Sequence, residues 1–249
     1  MNFVTLEKSD GIAVLSLCRG NVNALNGLVV QQLREHLKAL EMDRETRAII
    51  LTGSGKFFSF GFDVPEFLNF TKEQFTEFVI NFTDLYASIF LYPKPVVAAL
   101  NGHTIAGGCM LALACDYRVM VSEKAKISLN EISFSSSLFA GSTEILRFWA
   151  GSANATTILY SGAMYPADEA KRLGLVHEIA KLEDYMSEAR KTALVLASKD
   201  PSAFASIKSL LRKYVADEIL SRETESIKEF VDIWYSETTR ASLRNIKIY

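Results

Sequence analysis

The spacing of hydrophobic and polar positions changes several times along this chain, and each change marks an element. Residues 3–7 and 12–18 are mostly apolar, and between them Ser9-Asp10-Gly11 carries the Asp-Gly pair that favours the positive φ angles of a tight hairpin turn. After Asn26, which suits an N-cap, Val29, Leu33, Leu37 and Leu40 recur at helical spacing. Residues 47–52 read as a buried strand that ends at Gly53-Ser54-Gly55. Thr71 and Gln74 have the spacing of a capping box ahead of a helical stripe running from Phe75 to Ile89, and Pro93 and Pro95 stop it. Residues 96–100 form a short apolar strand and residues 106–114 a buried helix, while residues 117–121 and 127–129 return to extended structure.

Short strands separated by helices need crossover connections, so the pattern predicts an α/β core with a largely parallel sheet over residues 1–180. Beyond about residue 180 the pattern becomes helical alone, which sets residues 181–249 apart as a helical region. Asp200 and Pro201 occupy N-cap and N1 of one helix, with Ile207, Leu210, Leu211 and Tyr214 along a face. Ile227, Phe230, Val231 and Trp234 mark another. Such stripes must be covered, by this chain's own core or by a neighbouring subunit.

The 249 residues, 49% hydrophobic and 22% charged, suffice for one large core. A net charge of −2 leaves no basic excess for nucleic acid. Cys18, Cys109 and Cys115 lack the spacing of a disulfide framework or a zinc site. The first residues lack a basic stretch followed by an apolar run, no segment is apolar enough to span a bilayer, and Lys247-Ile248-Tyr249 is no peroxisomal address. The expectation is a cytoplasmic protein with no membrane and no nucleic-acid partner.

Two glycine turns carry the candidate chemistry. Asn101-Gly102-His103-Thr104-Ile105-Ala106-Gly107-Gly108-Cys109-Met110 runs into the apolar helix, where backbone N–H groups at a positive terminus can hold an oxygen gaining charge. Phe58-Ser59-Phe60-Gly61-Phe62-Asp63 follows a strand and can supply a second donor, so the pair predicts an oxyanion hole. Asp63 equally suits a cap for the next helix. Thr52-Gly53-Ser54-Gly55-Lys56-Phe57 lacks the first glycine and the Ser/Thr of a phosphate loop. No G-x-S-x-G elbow occurs. Of the histidines, His36 on a helix and His177 in a strand read as structural, and His103 adjoins the glycine turn.

With these motifs the chain resembles the crotonase (enoyl-CoA hydratase/isomerase) superfamily, in which an F-S-x-G-x-D turn and a later N-G-x-x-x-G-G stretch donate the two oxyanion N–H groups. The resemblance extends from Asn21-Val22-Asn23-Ala24-Leu25 through Cys115-Asp116-Tyr117-Arg118 to Ala167-Asp168-Glu169-Ala170 and Leu173-Gly174-Leu175-Val176. It implies a fold of repeated ββα units around a spiral core, with a C-terminal helical trimerisation region. By the same resemblance, the N–H groups of Phe62 and Gly107 bind a thioester oxygen, while Ala24, Leu25, Ser59, Phe60, Gly61, Asp63, Met110 and Asn130 contact substrate. Coenzyme A enters as the substrate's carrier with no separate cofactor or metal. The expected assembly is a homotrimer or a dimer of trimers.

Hydratases of that superfamily carry a first glutamate three residues after the oxyanion glycine and a second in a later loop. Here the first position is Met110 and the second is Glu131. A thioether neither positions water nor donates a proton, whereas moving a double bond from C3 to C2 needs only one carboxylate that takes a proton from C2 and returns it at C4. The combination looks most like the Δ3,Δ2-enoyl-CoA isomerases, with Glu131 as base. A weak hydratase or another thioester-enolate enzyme is the alternative inside the superfamily, and a non-catalytic acyl-CoA-binding scaffold the alternative outside it. Ser136-Ser137-Leu138-Phe139-Ala140-Gly141-Ser142-Thr143 stands where many relatives have a Pro-Gly-x-Gly-Gly loop, and Glu144 reads as a first-turn helix residue. Phenylalanines near the motifs, among them Phe60, Phe62, Phe134 and Phe139, suit an acyl tunnel, although most phenylalanines are expected in the core.

Overall fold

A computed structural model describes residues 1–248; Tyr249, the end of the terminal tripeptide, lies outside the described residues. Strands β1 (Val4–Ser9) and β2 (Ile12–Leu17) pair antiparallel across the Asp10-Gly11 turn, where both residues have positive φ as predicted. Helix α1 (Gly27–Met42) starts at Asn26, whose side chain accepts from the Val29 N–H, and buries Val29, Leu33, Leu37 and Leu40.

Three strand pairs follow, each leading into helix. β3 (Ala48–Gly53) and β4 (Phe57–Ser59) lead into the short α2 (Val64–Phe67) and the long α3 (Lys72–Leu91). β5 (Val96–Leu100) and β6 (His103–Ile105) lead into α4 (Gly107–Ala114). β7 (Tyr117–Val121) and β8 (Lys126–Ser128) lead through a 3-10 turn at Glu131–Phe134 into α5 (Ala140–Ser161). The first strand of each pair joins a six-stranded sheet, ordered β1-β2-β3-β5-β7-β10 and parallel after the opening hairpin. The second strand joins a smaller sheet, β4-β6-β8-β9, whose first three members are parallel. The ββα repeat thus stacks three equivalent turns at one level, one of them preceding each of β4, β6 and β8.

The link from β3 to β4 shows why the phosphate-loop look-alike is structural. A Cβ on Gly53 would lie 2.4 Å from the Phe57 carbonyl oxygen, and Gly55 has φ +73°. Asn101 stitches this turn to the next repeat: its Nδ2 donates to the Gly55 and Phe57 carbonyls at 3.0 and 3.1 Å, and its Oδ1 accepts from Gly53 N–H at 3.1 Å. A short strand, β6, therefore intervenes between Asn101-Gly102 and the helix, where the sequence read one continuous turn.

After β9 (Tyr165–Pro166), α6 (Ala167–Arg172) and β10 (Glu178–Ala180), the chain is helical: α7 (Tyr185–Ala197), α8 (Pro201–Trp234) and α9 (Glu237–Leu243). The two predicted helices after Asp200 are one 34-residue helix, and its facing differs from expectation. Ile207, Leu210, Leu211 and Tyr214 are 57–78% exposed, while Lys208 and Arg212 between them are buried. Asp116 explains the reversal: its carboxylate meets Lys208 Nζ at 2.8 Å and Arg212 Nη2 at 3.0 Å, and accepts from Val96 N–H at 2.7 Å. A buried carboxylate left without these cations would be costly, so the charged face turns inward and the apolar stripe outward. Farther along, Ile227, Phe230, Val231 and Trp234 pack on the core as the stripe predicts. No described helix is long and apolar enough to cross a membrane.

Candidate active site

The two glycine turns meet. Leu25 N–H donates to the Gly61 carbonyl at 2.7 Å and Asp63 N–H to the Leu25 carbonyl at 2.9 Å, a parallel bridge that holds the 61–63 segment extended. Ser59 Oγ donates to the Asn23 carbonyl at 2.8 Å and accepts from Gly61 N–H at 3.1 Å, which commits the amide before Phe62. Gly61 has φ +97°, and a Cβ there would lie 3.0 Å from Gly107 N. Only glycine lets the two backbones approach this closely. A Cβ on Gly107 would in turn strike the Phe62 ring at 2.9 Å, and one on Gly108 would strike the Ser59 carbonyl oxygen at 2.6 Å.

Gly107 is the first residue of α4, so its N–H has no partner inside the helix. The N–H of Phe62 is bypassed by the bridge on either side. Among the described residues neither amide donates to another backbone or side-chain acceptor. Ala106, the residue before Gly107, takes φ +49°, unusual for a side chain, and its N–H donates to the Ser128 carbonyl at 2.8 Å. That bond ties the oxyanion turn to the strand that delivers Glu131 three residues later.

Glu131 opens the 3-10 turn and is 5% exposed, and neither carboxylate oxygen has a hydrogen-bond partner among the described residues. Burial away from water pushes its pKa from about 4.5 to about 8. It faces a cavity of about 280 Å³ shared with Phe60, Phe62, Gly107, Met110 and Asn130, and among the described residues Glu131 is the one titratable side chain in that lining. A buried carboxyl without partners is expensive for stability and is the signature of a group kept for chemistry.

Phe60, Met110 and Asn130 line the cavity together with Glu131, Phe62 and Gly107. Ala24, Leu25, Ser59, Gly61 and Asp63 are not in its lining; hydrogen bonds of the last four hold the segment that carries the Phe62 amide. Asp63 caps α2, accepting from Glu66 N–H at 3.1 Å, and pairs with Arg19 at 2.5 Å. Glu144 sits in the second turn of α5, paired with Arg147 and Arg222, not in the first. The first turn of α5 is served from α8 instead: Glu223 accepts from Gly141 N–H at 2.9 Å and Ser226 Oγ from Ala140 N–H at 2.9 Å. His177 precedes β10 and is structural, its Nδ1 accepting from Arg118 N–H at 3.2 Å; burial and the nearby Arg118 and Arg212 push its pKa to about 3. His103 lies in β6, its ring 5.1 Å from that of Phe57.

Phe230, Trp234 and Ile246 also line the cavity, along with Ser133 and Phe134. Sequence spacing placed Phe230 and Trp234 on a buried helix face, but nothing local to them signals a site about 100 residues upstream.

The family model for enoyl-CoA hydratase/isomerase matches residues 7–245. A short-chain-enoyl-CoA hydratase of Clostridium acetobutylicum is 30% identical over 234 residues, 92% of this chain and 89% of that protein. A putative enoyl-CoA hydratase of Thermus thermophilus is 35% identical over 192 residues, covering 76% of this chain and 75% of the other. The human mitochondrial delta3-delta2-enoyl-CoA isomerase structure superposes with a TM-score of 0.93 at 26% identity, over 98% of this chain and 96% of the other. Matched along nearly its whole length, and lining one cavity with two unpartnered backbone amides and a buried carboxyl, this chain belongs to the enoyl-CoA hydratase/isomerase family of the crotonase superfamily.

Proposed function

We propose that the chain is a Δ3,Δ2-enoyl-CoA isomerase that converts 3-enoyl-CoA to 2-trans-enoyl-CoA with Glu131 as its single proton shuttle. The observation carrying this reading is that, among the described residues, Glu131 is the one titratable group lining a largely apolar cavity, with Met110 where a second carboxylate would serve hydration. Ionised Glu131 removes a proton from C2, and the electron pair of that C–H bond forms C1=C2 of a dienolate as charge moves onto the thioester oxygen. The Phe62 and Gly107 amides hold that oxygen, each worth on the order of 2.7–4 kcal/mol if it acts like other oxyanion donors. Protonated Glu131 then gives its proton to C4: the C3=C4 pair forms the new C4–H bond, the C1=C2 pair shifts to C2=C3, and the carbonyl re-forms. A carboxyl with a pKa near 8 is a stronger base than an ordinary glutamate, which narrows its gap to a carbon acid.

Coenzyme A is part of the substrate in this reading, and the chemistry calls for no separate cofactor. The relatives named as hydratases define the competing reading. Comparing wild type and Glu131→Gln on 3-enoyl and 2-enoyl thioesters tests both: isomerisation should be abolished by the substitution, and 2-enoyl hydration should be slow in wild type. Retained isomerisation in the variant, or hydration faster than isomerisation in wild type, would end the proposal. The exposed stripe on α8 supports a homotrimer covering it, to be read by sedimentation of the full chain. A monomer at micromolar concentration would contradict that assembly.

A further inference from the structure

We propose that Trp234 sets the length limit of this cavity, which takes thioesters of uncharged, unbranched acyl chains up to about ten carbons. This deepens the reading of the cavity as an acyl-thioester site and rests on it. At about 280 Å³, the space accommodates on the order of nine groups the size of a water or a methylene, at about 30 Å³ each. One wall is the catalytic one, with the Phe62 and Gly107 amides. Another is built by the chain's own C-terminal segment through Phe230, Trp234 and Ile246.

That wall is fixed rather than hinged. The Trp234 indole is 2% exposed and stacks on Phe75 of α3 with ring centres 4.4 Å apart, and Phe230 meets Phe139 edge-on at 5.3 Å. Packed aromatic rings of this kind leave no room to slide, so a longer tail has to displace the indole. Among the described residues the lining offers an acyl tail no cationic partner, and Glu131 already places one carboxyl there, so a second carboxylate at the tail's end would be buried unpaired.

The experiment is competition binding of saturated acyl-CoA thioesters, from butanoyl to hexadecanoyl, to the full chain. Affinity should rise about fourfold per added methylene up to about decanoyl and then level or fall. Trp234→Ala should move that limit outward by on the order of four carbons, from the volume of the lost indole at about 30 Å³ per methylene. Trp234→Leu, read alongside it by circular dichroism and needed if the alanine variant does not fold, should move it by less. A decanoyl thioester bearing a terminal carboxylate should bind more than about tenfold more weakly than decanoyl-CoA. Hexadecanoyl-CoA binding wild type as tightly as decanoyl-CoA, a folded Trp234 variant with an unmoved limit, equal binding of the carboxylated tail, or no binding at any length would each overturn the inference. Saturated ligands cannot be isomerised, so a failure of the proposed reaction leaves this result standing, and a missing length limit leaves the reaction untouched.

Discussion

Replacing Glu131 by Gln should make the protein more stable as it makes it inactive, and the gain should grow with pH. In the unfolded chain this carboxyl ionises near 4.5, whereas in the fold it holds its proton until about 8. Between those values the folded state binds the extra proton, so the stability Glu131 contributes is full below about pH 4.5 and lost as pH rises through about 8. At about 1.36 kcal/mol per pKa unit, the loss is about 1 kcal/mol at pH 5, about 3 kcal/mol at pH 7 and nearly 5 kcal/mol by pH 9. Glutamine has the same shape and does not titrate, so the other groups cancel in the difference between variant and wild type. Urea unfolding at pH 5, 7 and 9, at one fixed protomer concentration, should show the variant's advantage widening by about 2 kcal/mol between the first two. A difference constant with pH would mean that Glu131 is solvated in the native protein, and the argument for a dry, elevated base would fail.

The pH profile of wild-type kcat/KM for isomerisation should climb through a midpoint near pH 8 and level off about one unit above it, because only the ionised carboxylate removes a proton; a profile flat from pH 5 to 8 would contradict the burial argument. Gly107→Ala, whose new Cβ would strike the Phe62 ring at 2.9 Å, should lower kcat by about 10²–10³ through a displaced oxyanion donor, measured in a steady-state assay alongside a thermal melt. Met110→Glu should introduce measurable hydration of 2-enoyl thioesters and lower stability at alkaline pH, since two carboxyls would share one dry cavity. Asp116→Asn leaves Lys208 and Arg212 buried without their counter-charge and should cost about 3–5 kcal/mol in denaturant unfolding; a loss below about 1 kcal/mol would show that water reaches the cluster.

The sequence by itself determined the elements whose cause is local. The Asp10-Gly11 turn, the Asn26 and Asp200 caps, the Thr71–Gln74 capping box and the alternation of strand and helix follow from turn chemistry, capping and periodicity over a few neighbouring residues. The glycine turns around Phe62 and Gly107 were legible in a short window as candidate backbone donors, while the parts assigned to Phe62, Gly107, Met110 and Glu131 came from the resemblance to the crotonase superfamily. Tertiary structure decided whatever depended on which surfaces meet. The outward turn of the Ile207–Tyr214 stripe goes with Asp116, some 90 residues away, because that carboxylate, once buried, is costly without the Lys208 and Arg212 charges facing it. Glu223, rather than a residue of its own helix, serves the start of α5 because α8 packs across it. The wall made by Phe230 and Trp234 belongs to the same class. A helical stripe specifies that a face must be buried, and only the packed fold specifies what lies against it.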